Sequence, residues 1–351
     1  MSLKRYYLID IARGIAALSV VIFHYRIFYE DNISFSNFVT QEQPFYKYLF
    51  FFYENGWIAV QFFFIISGFI FYLLYSEKIK RKQISAKDFI KFRFSRLYPL
   101  HFLTLILMVL IFYFSNIGNF TGMVRGDFKH FILNIFLIQK WGFEDFGSFN
   151  EPSWSVSIEI LLYSVFFIVF FFKKNDYLVT FLFLILSPAI FYFNKFIGYG
   201  IYCFFIGGLT YLIYKKISYN LKYLKISLIL GIIINISSIL SFFYIDNSII
   251  IKVISFTFFF PSIIIILMLI QILFNKAGSI FQIIGDVSYS IYLLHYVVQA
   301  IIKIILYNFN LKIDFNSNFI FLSYVLLVYI LGILSYNFYE KPIQNYIRAK
   351  Y

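Results

Sequence analysis

Asp10, Arg13 and His24 all lie in the first apolar stretch of the chain, YLIDIARGIAALSVVIFHY, at spacings of 3 and 11 residues. At 100° per residue, eleven steps return to within about 20° of the start, so a helix puts all three on one stripe. His24 then stands roughly 16 Å along the axis from Arg13. An ionisable side chain at membrane depth costs about 2.5 to 3.5 kcal/mol on insertion scales, and such groups face a protein interior or a wet cavity. Imidazole titrates near neutral pH and can take or give a proton there. The competing reading is an interfacial Asp10–Arg13 ion pair beside a satisfied buried histidine. The shared stripe favours a lined path.

Three further groups have spacings that suit chemistry. Arg93 and Arg96 stand one helical turn apart after the basic run Lys78, Lys80, Arg81, Lys82, Lys87 and Lys91. Two guanidinium forks on one face suit bidentate phosphate binding, and the alternative is membrane anchoring. Trp154, Ser155 and Glu159 follow Pro152, which favours a helix start, and Ser155 and Glu159 share a face at i, i+4. Ser288, Tyr292 and His295 form another polar face at i, i+4, i+7, equally readable as a structural hydrogen-bond network. Ser67 and Gly68 fit close helix packing better than a nucleophile's role. Glu340 is expected to pair with a basic group where Pro342 stops the last helix. His101 and His130 stand alone, so no metal is expected. The lone Cys203 excludes an intrachain disulfide.

The elements that must position these groups follow from composition. Of 351 residues, 61% are hydrophobic and 13% charged, with 51 Phe and 31 Tyr, too little polar surface to cover a water-soluble globule. Period-2 alternation of a membrane barrel is absent. At roughly 17 to 25 residues per crossing, the apolar runs give an all-α polytopic bundle of about ten spans, at 8–28, 57–75, 97–115, 154–172, 177–193, 198–214, 226–244, 249–274, 288–307 and 319–338. The basic loops at 76–96, 173–176 and 215–225 fall on one side of that count, which puts both termini in the cytoplasm. The net charge of +13 therefore reports topology, and nucleic acid is not an expected partner. The first stretch lacks a small-residue cleavage site and reads as a retained span. Segment 128–141 is too short and charged to cross and reads as an outer-face or re-entrant helix. With short loops and no linker, residues 1–351 read as one membrane-embedded domain without an appended soluble domain.

D-x-x-R-G-x-A-A from Asp10 to Ala17, with His24 beyond it, resembles the opening motif of the acyltransferase 3 family. FFFIISGF at 62–69, Arg93-x-x-Arg96-x-x-Pro99, Trp154-Ser-Val-Ser-Ile-Glu159, SYSIYLLH at 288–295 and Tyr339-Glu340-Lys-Pro342 resemble its later motifs, in order. The resemblance implies transfer of an acyl group, acetyl first, from cytoplasmic acetyl-CoA or another acyl-CoA to a hydroxyl of a cell-surface glycan or lipid-linked saccharide. The setting it implies is the inner membrane of a bacterium, with membrane lipid as surroundings. His24 becomes the general base, Glu30 (or Asp31) its orienting carboxylate, and Glu159 a positioning acid. Arg13, Arg93 and Arg96 become donor-binding residues; Asp10, Trp154, Ser155, Tyr292 and His295 become acceptor-binding residues. A secondary transporter with an Asp/Arg/Glu/His relay is the alternative, and the absence of paired Gly/Pro breaks in two halves counts against it.

Overall fold

The structure is a computed structural model, and it describes residues 5–29, 39–114, 124–144, 147–173, 175–218, 221–245 and 248–349. Among these, ten helices are long and apolar enough to cross a membrane: α1 Tyr7–Tyr29, α2 Tyr46–Lys80, α3 Ala86–Tyr113, α4 Glu151–Phe172, α5 Asp176–Phe193, α6 Lys195–Ile217, α7 Lys222–Phe242, α8 Ile249–Leu273, α9 Ser288–Asn308 and α10 Asn318–Ala349. The protein is an integral, polytopic helical membrane protein. The only strands among the described residues are Val124–Arg125 and Gly147–Ser148, paired in parallel. In α7, Ile226, Ile229, Leu230, Ile233, Ile236 and Leu240 all face outward at helical spacing. Lipid is the solvent that such a row requires.

Three expected boundaries move. α2 starts eleven residues before 57, because a turn of 3-10 helix, Gly56–Ile58, joins its amphipathic start Tyr46–Asn55 to the apolar body. α3 starts at Ala86, since the basic residues from Lys87 to Arg96 lie on helix rather than in a loop. Pro342 does not end α10. It sits in the first turn after a π-helical turn, Tyr336–Glu340, where the i→i−4 ladder is already shifted and its missing N–H costs little, so the helix runs on through Lys341–Ala349. Segment 128–141 is helical only over Phe128–Ile135, capped by Asp127 and followed by Leu137 in the left-handed region (φ 56°).

The helices group into two compact units. The first comprises the described residues of Met1–Arg13, Val60–Ser85 and Leu161–Gly285. Its core is a reciprocal crossing of α2 and α6. A Cβ on Gly68 would meet the backbone of Phe204, and one on Gly207 would meet the backbone of Ile65 and Phe69. Only glycine lets the two main chains approach this closely, which is what Ser67-Gly68 was expected to allow. Aromatic stacks fill the space around the crossing, Phe71 on Tyr163 at 4.2 Å and Phe183 on Phe205 at 4.4 Å between centroids. At the end of α2, Lys80 binds Asp176 of α5 at 2.7 Å and Glu77 at 2.9 Å.

The second unit comprises the described residues of Gly14–Ala59, Ala86–Ile160 and Asp286–Tyr351. Leu105, Met108, Phe149, Tyr296, Val297 and Ala300 form a buried cluster in which α3 and α9 pack. The His24–His295 pair and the hydrogen bonds among α3, α4, α9 and α10 described next belong to this unit.

Candidate active site

His24 is the last residue of the α-helical body of α1; Tyr25–Tyr29 continue as 3-10 helix. That change of helix type takes nearby carbonyls out of register with their usual donors, and α9 supplies replacements. Gln299 Nε2 donates to the His24 carbonyl at 2.8 Å, and Lys303 Nζ donates to the Ile27 carbonyl at 3.0 Å.

The His24 ring lies against His295, with centroids 5.0 Å apart and planes within 9°, and Nδ1 of His24 is 2.8 Å from Nε2 of His295. The protons on this pair follow from its surroundings. His295 Nδ1 is 3.2 Å from the carbonyl of Ile291, which can only accept, so that nitrogen carries a hydrogen. In a neutral ring Nε2 of His295 is then the acceptor, and the proton between the rings sits on His24 Nδ1. The lone pair of His24 falls on Nε2, which has no hydrogen-bond partner among the described residues. A neutral imidazole presenting Nε2 is the form a general base needs.

One turn back on α9, the Tyr292 hydroxyl donates to the carbonyl of Pro152 at 2.9 Å, leaving Ser155 Oγ to donate to the phenol oxygen at 2.8 Å. Asn150 Nδ2 holds the Leu293 carbonyl at 3.0 Å. The start of α4 is therefore fastened to the α9 face that carries His295. Trp154 is half-buried in this segment, and Glu159, also half-buried, lies one turn beyond Ser155, near enough for its charge to act on Tyr292.

A second network ties three of the motifs together. Tyr289 donates to the Leu97 carbonyl at 2.7 Å and Tyr339 to the Pro99 carbonyl at 3.2 Å, so the proline-containing part of α3 is gripped by α9 and α10. Ser290 and Ser335 donate to Glu340, whose partners are hydroxyls rather than the expected ion pair, although Arg96 is near enough for its charge to act on the carboxylate. Arg348 donates to Ser95 Oγ at 3.1 Å and to the Phe92 carbonyl at 3.4 Å, and Lys91 caps the Arg348 carbonyl at 3.0 Å. Arg93 is 9% exposed and Arg96 half-buried.

His24 and His295 are brought together, as are Ser155 and Tyr292. Asp10, in the first unit, is held by Arg5 at 3.0 Å and lies 3.7 Å from Arg13. Its carboxylate is thus engaged by arginines, as in the plainer reading of that pair. Glu30 and Asp31 lie outside the described residues. His101 and His130 are not solitary: His101 Nε2 is 2.8 Å from the Asn134 carbonyl, and His130 Nδ1 is 2.7 Å from Asp127. Outside the membrane spans, hydrogen bonds from the His130 backbone N–H and ring hold the Asp127 carboxyl below its usual value. Sequence reasoning missed Gln299, Lys303 and Arg348. Gln299 and Lys303 were visible as polar positions continuing the Tyr292–His295 stripe, and Arg348 had no signal.

The sequence was also compared with known proteins. It is 37% identical over 114 residues to Acyltransferase MdmB of Streptomyces mycarofaciens, a stretch covering 32% of this chain and 27% of that protein. It is 35% identical over 109 residues to Protein 2 in picA locus of Rhizobium radiobacter, covering 31% of this chain and 47% of that protein. The chain thus spans less than half the length of either relative in the matched region. No solved structure matches it significantly. The profile of the acyltransferase 3 family, described as an acyltransferase domain, matches residues 6–337, nearly the whole chain, and the protein belongs to that family.

Proposed function

We propose that this protein is a membrane O-acyltransferase that moves an acetyl group from acetyl-CoA on the cytoplasmic side to a hydroxyl of a cell-surface or lipid-linked glycan, with His24 as general base. The observation that carries this reading is the hydrogen-bond order Ile291 carbonyl, His295, His24, which leaves the lone pair on His24 Nε2. In the reaction, Nε2 takes the acceptor hydroxyl's proton as its oxygen attacks the thioester carbonyl. The new C–O bond forms, the C–S bond breaks, and the proton passes from the imidazolium to the departing thiolate, giving an ester and free CoA. His295 accepts from Nδ1 and fixes the tautomer in this reading.

Arg93 and Arg96, with Arg13 on the stripe of α1, are the donor-binding residues in this reading. Tyr292, Ser155 and Trp154 flank the acceptor, and Glu159 sets the charge around them. Both termini face the cytoplasm of a bacterium, in its inner membrane. Supplying radiolabelled acetyl-CoA to membranes that contain the protein or its His24→Ala variant tests the reading. Labelled glycan is expected from the wild type alone, and equal labelling from both excludes His24 as base.

A further inference from the structure

Gln299 is 0% exposed, and its amide is fixed in orientation. The His24 carbonyl can only accept, so the atom 2.8 Å from it is the NH2 group, and the amide oxygen Oε1 points elsewhere. That oxygen has no hydrogen-bond partner among the described residues. One turn further on, Lys303 caps the Ile27 carbonyl with a plain donor. A plain donor would have served at 299 as well. The amide adds a buried acceptor, which is unfavourable to leave unmade, on the side chain that touches the backbone of the base.

We infer that Gln299 is the acceptor-recognition residue of this site, its Oε1 receiving a hydrogen bond from a hydroxyl of the incoming acceptor. This inference rests on the function proposed above. The hydroxyl involved is not the reacting one, whose proton goes to His24 Nε2, but a neighbouring one on the same molecule. The acceptor class is therefore polyhydroxylated, and a mono-alcohol is disfavoured because it leaves Oε1 bare. His295 and Gln299, at i, i+4 on α9, divide the work. The imidazole sets the tautomer of the base, and the amide holds its main chain while sorting acceptors.

The test uses the full-length protein in proteoliposomes with radiolabelled acetyl-CoA and two probe acceptors, glycerol and ethanol, compared as a ratio of kcat/KM. Wild type is expected to prefer glycerol. Gln299→Leu removes both halves of the amide and is expected to cut that preference about tenfold, the worth of one hydrogen bond of ordinary strength. Gln299→Glu keeps an acceptor oxygen and is expected to retain most of the preference, whatever it loses in overall rate. Equal loss of glycerol and ethanol transfer in both variants overturns the inference and leaves Gln299 as a positioning residue for His24. If Gln299→Leu does not accumulate, Gln299→Glu decides alone, and loss of the glycerol preference there overturns the inference. Transfer that persists in His24→Ala with the preference for glycerol intact sinks the parent reading and leaves this one standing.

Discussion

Replacing His295 tests the hydrogen-bond order on which the mechanism stands. His295 accepts the Nδ1 hydrogen of His24 at 2.8 Å in a fully buried site. With His295→Leu that hydrogen loses its acceptor, and the neutral ring is free to carry its proton on Nε2 instead, the tautomer that cannot act as a base. The imidazolium formed during transfer also loses a hydrogen bond to its charged form, worth about 1.5 to 3 kcal/mol. At 1.36 kcal/mol per factor of ten, that is a fall in kcat of about 10- to 150-fold. The acceptor KM should change little, since His295 contacts the base rather than the substrate. His295→Gln keeps an oxygen that can accept from Nδ1 and should recover part of the loss. His24→Ala removes the base itself and should cost about 100- to 10,000-fold. Rates measured in proteoliposomes with radiolabelled acetyl-CoA separate these cases. A His295→Leu enzyme within about twofold of wild type in kcat, alongside an inactive His24→Ala, would refute the tautomer argument.

Gly68→Ala and Gly207→Ala each place a Cβ onto the other helix's backbone and should destabilise the protein by about 1 to 3 kcal/mol, read as a lower Tm in detergent. Gly231→Ala meets a side chain, Ile266, rather than backbone at close range and should move Tm less. Arg348→Ala frees the segment of α3 that carries Arg93 and Arg96 and should raise the KM for acetyl-CoA about five- to tenfold with kcat retained, Arg348→Lys restoring part of it. Because the Asp127 carboxyl is held below its unfolded value of 3.8, its stabilising effect is complete above that value and lost as pH falls through the depressed folded one. Amide exchange across Phe128–Ile135 should accelerate in that acid window, and Asp127→Ala should produce the same acceleration at neutral pH, costing about 1 kcal/mol of local helix stability.

The number and order of the spans were legible because an apolar run has to match the thickness of the hydrocarbon layer. The starts of α2 and α3 were not, because their first turns are amphipathic or basic and read as loop, although helix continues through them. Pro342 misled for a related reason: a proline stops an α-helix in register, and the preceding π turn has already changed the register. In the site, His24 and His295 were each recognisable as costly groups on a polar stripe. Their contact was not, since they are 271 residues apart and helical periodicity reports which face is polar without naming the helix it meets. Glu30, expected to orient the base, lies outside the described residues, and the partner of the imidazole's Nδ1 comes from another helix.

The Lys80–Asp176 pair has a consequence for synthesis. Its two members are separated by 96 residues, about 5 to 20 s of translation. During that interval α2 has left the ribosome with only Glu77 to balance its ammonium, so its cytoplasm-proposed end is electrostatically unfinished until α5 emerges. The nascent chain therefore holds a waiting state in which α2 is made and its partner α5 is not. Shortening the delay between them, or removing Asp176, would change the efficiency with which the early helices are retained, before α9 and its His295 exist.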